Sequence, residues 1–114
     1  KTLQFDGKDT DWTSWFGPDN YISSSWTDIG SEQQNYFALE GPEIGGRRDF
    51  YINRNWGGCS SDNGWLMMTN PGDTCASSWG VQQDPAIMYA NPKTYGNWTS
   101  GEFSFADALV VYVR

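Results

Sequence analysis

Arg54-Asn55-Trp56-Gly57-Gly58 places a planar cation, an amide and an indole side by side, followed by two residues without side chains. A guanidinium donates in a fixed fork, an amide both donates and accepts, and an indole offers a broad apolar face. Together these groups match a pyranose ring, which shows C–H bonds on one face and hydroxyls around its rim. The glycines let the backbone approach such a ligand closely. Asp49, Tyr51 and Asn53 lead into the motif at a spacing of two, so an extended strand would put them on one face and continue its polar surface.

Tryptophan placement sharpens this reading. Trp12, Trp15, Trp56, Trp79 and Trp98 all sit among Gly, Ser, Thr, Asn and Asp. Leaving an indole in water is unfavourable, so each either caps the end of a core or serves as a platform for a ligand. Trp56 is the expected platform, and Trp98 or Trp15 would supply a second. Trp65, inside Gly64-Trp65-Leu66-Met67-Met68, reads as core beside a cysteine, and Trp26 divides evenly between core and surface.

Carboxylates offer a second chemistry. Asp6, Asp9 and Asp11 lie within six residues of one another and are hard oxygen donors suited to Ca²⁺. Asp107 would join them if the two ends of the chain meet. The spacing is not that of an EF-hand, and a solvated acidic loop is the alternative. Asp62-Asn63-Gly64 reads first as a turn. Asn97-Trp98-Thr99 is the only N-glycosylation sequon and agrees with a secreted context.

Composition narrows the rest. The chain has 114 residues, a net charge of −7 and no histidine. So acidic a domain is not expected to bind nucleic acid or an anionic membrane. Without histidine there is no Ser–His nucleophile and no imidazole metal ligand. A carboxylate pair for glycoside hydrolysis cannot be located by counting the 14 acids, and a short chain leaves little material for a deep cleft, so no enzyme is expected. No apolar run approaches the roughly 18–20 residues of a membrane span. No Met-initiated signal peptide is present, which suits a mature product or an excised domain.

Cys59 and Cys75 are expected to form one disulfide around the Gly/Ser/Asn-rich stretch Ser60–Thr74, two buried thiols being the alternative. A disulfide, like the sequon, points outside the cell.

The elements that must position these residues read as β throughout. With 7 Trp, 6 Tyr and 6 Phe, each able to bury roughly 150–250 Å², an aromatic core replaces the usual aliphatic one. Alternation marks strands at 35–40, with Phe37 and Leu39 on one face, and at 48–53, with Phe50 and Ile52 inward. Glu102–Phe105 would bury Phe103 and Phe105. Ala108–Val113, apolar on both faces, reads as a central strand. Thr2–Asp6, Tyr21–Trp26, Gly64–Thr69, Trp79–Gln82 and Ala86–Tyr89 are further strands, and no stretch shows helical periodicity. Eight or nine short strands predict a single all-β domain over 1–114, an antiparallel β-sandwich of jelly-roll type.

Gly57-Gly58-Cys59-Ser60-Ser61-Asp62-Asn63-Gly64-Trp65-Leu66, then Cys75 and Trp79, then Ala106–Val113, resembles a cysteine-paired domain that recurs in secreted proteins of invertebrate animals. That resemblance covers roughly the C-terminal half and implies an extracellular β-rich module. More loosely, the aromatic β-sandwich looks like carbohydrate-binding modules and small lectins, which implies tryptophan platforms and jelly rolls supported by Ca²⁺.

The expectation is therefore a secreted, non-catalytic domain that binds a polysaccharide or glycan, either tethered to a polysaccharide-active enzyme or acting as a lectin. No cofactor is required; a structural Ca²⁺ on Asp6, Asp9, Asp11 and Asp107 is the candidate, with a solvated acidic loop as its alternative. Arg47, Arg48 and Arg54 form a local basic cluster, so an anionic sugar stays open as a ligand. An extracellular protein-binding or matrix-structural domain is the alternative, because Trp, Tyr and Arg also dominate protein interfaces. A small glycosidase stands third.

Overall fold

The computed structural model describes residues 1–7, 18–32, 35–37, 48–69, 73–83, 85–110 and 112, with backbone only for 35–37, 48 and 49. Among the described residues there are eight strands: β1 (Leu3–Phe5), β2 (Tyr21–Ser24), β3 (Asn35–Phe37), β4 (Arg48–Asn55), β5 (Asn63–Thr69), β6 (Ala86–Ala90), β7 (Gly96–Asn97) and β8 (Phe103–Ala106). β1 and β2 form an antiparallel ribbon, while the others form one antiparallel sheet in the order β3-β4-β5-β6-β8, with β7 also on β5. The expected β class thus holds. Among the described residues neither sheet closes on itself, and the finer jelly-roll sandwich is not established by them.

β4 and β5 explain how so few residues make two cores. Tyr51 and Met67 face one apolar cluster, whereas Phe50, Ile52, Leu66 and Met68 face the other. The central strands are therefore covered on both sides. On one side lie the ribbon residues Leu3, Phe5 and Tyr21 and the following loop with Trp26 and Ile29. On the other lie Cys75, Trp79 and Trp98.

The β4–β5 pairing shifts register at three points, one of which places Trp65. Ile52 pairs with Leu66 and Asn53 with Gly64, which makes Trp65 an extra residue on β5. A bulge of this kind lets adjacent side chains leave the same way, and Trp65 does join Leu66 in the second cluster.

The disulfide forms as expected between Cys59 and Cys75, 16 residues apart. Closing a loop of that length contributes about 3 kcal/mol on the chain-entropy account. Beside the bridge, the Trp79 indole N–H donates to the Cys59 carbonyl at 2.6 Å, and within the loop the Cys75 amide donates to Asp73 Oδ1 at 2.8 Å.

Two strand expectations and one burial expectation differ from the structure. Trp79–Gln82 is not a strand; Ala76–Trp79 is a 3₁₀ turn that ends on Gly80 at φ 73°. The side-chain-free residue there adopts a left-handed conformation that few others tolerate. Of the expected central strand Ala108–Val113, residues 108–110 and 112 carry no regular structure, and Val111 and Val113 lie outside the described residues. β8 already occupies the free edge of β6, and of this run Leu109 packs against a core cluster. Phe103 and Phe105 do share a side, their rings edge-to-face at 5.7 Å. Only Phe103 is covered, because Phe105 stands at the sheet margin and remains 42 % exposed.

Candidate functional site

The Arg54-Asn55-Trp56 motif lies where β4 ends. Asn53 pairs with Gly64 and Asn55 with Asn63, so Arg54 is an extra residue on the strand. Its guanidinium carbon lies 4.4 Å from the centre of the Tyr95 ring, and its Nε donates to Glu32 at 2.7 Å. The Glu32 hydrogen bond raises the Arg54 pKa above its ordinary value, and nearby Tyr95 and Asp28 act in the same direction.

These contacts close into a circuit. Tyr95 meets Trp65 edge-on at 6.3 Å, and the Trp65 indole N–H donates to Asp28 Oδ1 at 2.8 Å. Asp28 Oδ2 accepts the Tyr95 amide at 3.0 Å. The Asp28 carbonyl accepts the Glu32 amide at 3.0 Å, and Glu32 returns to Arg54. Among the described residues, Arg54 is thus fastened by the Glu32 carboxylate and the Tyr95 ring.

Trp56 belongs to the opposite side. Its ring stands at 86° to Tyr51, centroids 4.9 Å apart, and packs against the cluster that holds Tyr51 and Trp98. Tyr51 is buried while Trp56 is only partly so, and Asn55, Gly57 and Gly58 around it are exposed. Gly58 has a positive φ of 92° and turns the chain toward Cys59. The fold therefore keeps Asn55 and Trp56 together at the surface but anchors Arg54 in the other cluster's margin.

Several expected site residues lie elsewhere. Trp98 is completely buried, with its indole N–H bonded to Asn53 Oδ1 at 3.0 Å, so it presents no open face and cannot be the second platform. Tyr51 and Asn53 share a face as expected, but it is an interior one, covered by Trp98 and the disulfide loop rather than offered to solvent. Asp49 is the residue left unpaired between Arg48–Thr69 and Phe50–Met68. Trp15 and Trp12 lie outside the described residues, as does Arg47.

Of the carboxylates proposed for Ca²⁺, Asp6 and Asp107 are exposed, and Asp9 and Asp11 lie outside the described residues. Among the described residues no three His, Cys, Asp or Glu side chains gather in a metal-sized group. None of the described helical segments is long and apolar enough to cross a membrane.

Tyr95, Glu32 and Asp28 are the residues that sequence reasoning missed. Each is an ordinary loop residue locally, and their meeting with Arg54 depends on chain folding across tens of residues.

No known family's sequence pattern matches the chain, and neither a curated protein nor a solved structure is significantly similar to it.

Proposed function

We propose that the chain is a non-catalytic carbohydrate-binding domain of a secreted protein, with Trp56 as the stacking platform and Asn55 as the hydroxyl partner. The observation that carries this reading is the pose of Trp56: the ring is steadied edge-on by buried Tyr51, yet stays partly exposed beside an exposed amide and two exposed glycines. A platform fixed before binding loses little conformational freedom when a sugar ring settles on it. The disulfide supports an oxidising compartment.

Arg54 supports the neutral-glycan form of the proposal. The chain carries −7 overall, so sulfated or uronic chains meet a net negative domain whose Arg54 charge is engaged by Glu32. Such a domain acts as a lectin or tethers a polysaccharide-active enzyme to its substrate.

Intrinsic tryptophan fluorescence, titrated with soluble polysaccharides in calcium and then in EDTA, tests the reading. The expected result is a saturable emission shift with one neutral glycan class that Trp56→Ala abolishes while its far-UV CD spectrum is kept. Silence across neutral and anionic glycans, or an equal shift in Trp56→Ala, overturns it. Loss of the shift in EDTA would bring Asp6, Asp9, Asp11 and Asp107 into the site as calcium ligands.

A second reading, an extracellular protein-binding domain, is favoured by a different surface. Phe105, Val110 and Tyr112 are 42, 63 and 90 % exposed at and beyond β8. Concentration-dependent self-association in size-exclusion chromatography, together with no glycan response, would select it.

A further inference from the structure

The sequon Asn97-Trp98-Thr99 is the motif that sugar binding leaves unexplained, and the fold gives it a definite form. Its middle residue is the completely buried Trp98, whose backbone amide also donates to the Asp62 carbonyl at 3.1 Å. Anchoring the centre of the tripeptide inside the core turns its two flanking residues outward. Asn97 is only partly buried at the end of β7, and Thr99, Ser100 and Gly101 are exposed.

The Asn97 side chain uses one end for folding and leaves the other to solvent. Its Oδ1 accepts the Thr99 amide at 2.8 Å and lies 2.5 Å from the Thr99 hydroxyl. The backbone carbonyl of Asn97 accepts both the amide and the hydroxyl of Ser100, at 3.2 and 2.8 Å. Every one of these contacts is made by an oxygen. Among the described residues, Asn97 Nδ2 has no hydrogen-bond partner, and it is not one of the sealed polar atoms. A substituent on that nitrogen breaks no bond of the fold.

We propose that Asn97 is an N-glycosylation site, with Nδ2 carrying an oligosaccharide transferred from a lipid-pyrophosphate-linked donor during passage through a secretory pathway. A bond forms between Nδ2 and the anomeric carbon of the donor sugar, and the bond from that carbon to the pyrophosphate oxygen breaks. The lipid pyrophosphate departs with the electron pair, and the amide nitrogen gives up one proton. The modified residue keeps its Oδ1 acceptor and therefore its cap on Thr99. This site is separate from the Trp56 platform, and either assignment stands if the other falls.

The test expresses the chain behind a secretion signal in animal cells and takes intact masses from both medium and lysate, before and after peptide:N-glycosidase. The expected wild-type chain is heavier by one oligosaccharide, and the enzyme returns it to the bare chain with Asp at position 97. Asn97→Asp keeps the capping oxygen, so it folds and shows no added mass. Thr99→Val removes the sequon hydroxyl and also loses the added mass. Wild type at the bare mass in both pools overturns the proposal, and so does enzyme-sensitive mass that persists in Asn97→Asp.

Discussion

Trp98 Nε1 donates to Asn53 Oδ1 at 3.0 Å, and both side chains are completely buried. Asn53 Nδ2 in turn donates to the Asn55 carbonyl at 2.7 Å, which ties the core to the end of β4 just before Trp56. A buried donor that loses its acceptor costs about 1–3 kcal/mol, whereas removing both partners together costs much less. Asn53→Leu alone is expected to lower stability by about that amount. Paired with Trp98→Phe, it should cost clearly less than the two single losses added. Urea unfolding of the four proteins in this cycle measures the coupling.

Gly64 makes that arrangement possible. A Cβ built on it would lie 2.2 Å from Asn53 Oδ1 and 2.6 Å from the Asn53 Cα. The amide oxygen can rotate away, but the second contact is with backbone paired to Gly64 in the sheet. Gly64→Ala is therefore expected to destabilise by roughly 1–3 kcal/mol, although alanine suits a strand better than glycine does. A reduced urea midpoint at unchanged slope would bear this out, and a midpoint equal to wild type would refute it.

Asp28 is the joint between the loop after β2 and the main sheet. One oxygen receives the Trp65 indole N–H and the other the Tyr95 amide. Asparagine has the same shape but offers only one acceptor, so its NH₂ must face one of these donors. Hydrogen bonds to charged groups are worth about 1.5–3 kcal/mol, and Asp28→Asn is expected to lose at least one of them. The near-ultraviolet CD signal of Trp65 should weaken along with the thermal midpoint.

The strands of the centre were legible in the sequence because their side chains alternate. Phe50 and Ile52 point to one core as their spacing predicts, and β5 and β6 fall within a residue of their expected bounds. The disulfide was equally legible, since only two cysteines exist. What alternation does not reveal is which face a second layer will cover. Tyr51 and Asn53 are polar enough to suggest a surface, yet Trp98, 45 residues from Asn53, seals them in. Ala108–Val113 has the composition of a central strand, but its described residues 108–110 and 112 carry no regular structure, and Leu109 is used instead to pack against a core cluster. The candidate site was half legible for the same reason: Asn55-Trp56 is local, whereas the partners that immobilise Arg54 come from distant loops.

Arg54 gives a final prediction that separates fastening from recognition. The pair with Glu32 is about one-third exposed on both sides, so its contribution to stability is modest, at most about 1 kcal/mol. Glu32→Gln should therefore barely move the unfolding midpoint. Because the Glu32 bond raises the Arg54 value, the guanidinium's share is fully present below its ordinary pKa and is lost only as pH rises through the higher folded one. The stability difference between wild type and Arg54→Gln should thus stay constant from about pH 7 to about pH 9. Under the proposed glycan binding, Arg54→Lys separates the two roles. If Arg54 only positions the end of β4, Arg54→Lys weakens binding slightly and leaves it insensitive to added NaCl. A large loss of affinity in Arg54→Lys, with wild-type binding itself weakening as NaCl is added, would make Arg54 a direct contact to an anionic sugar.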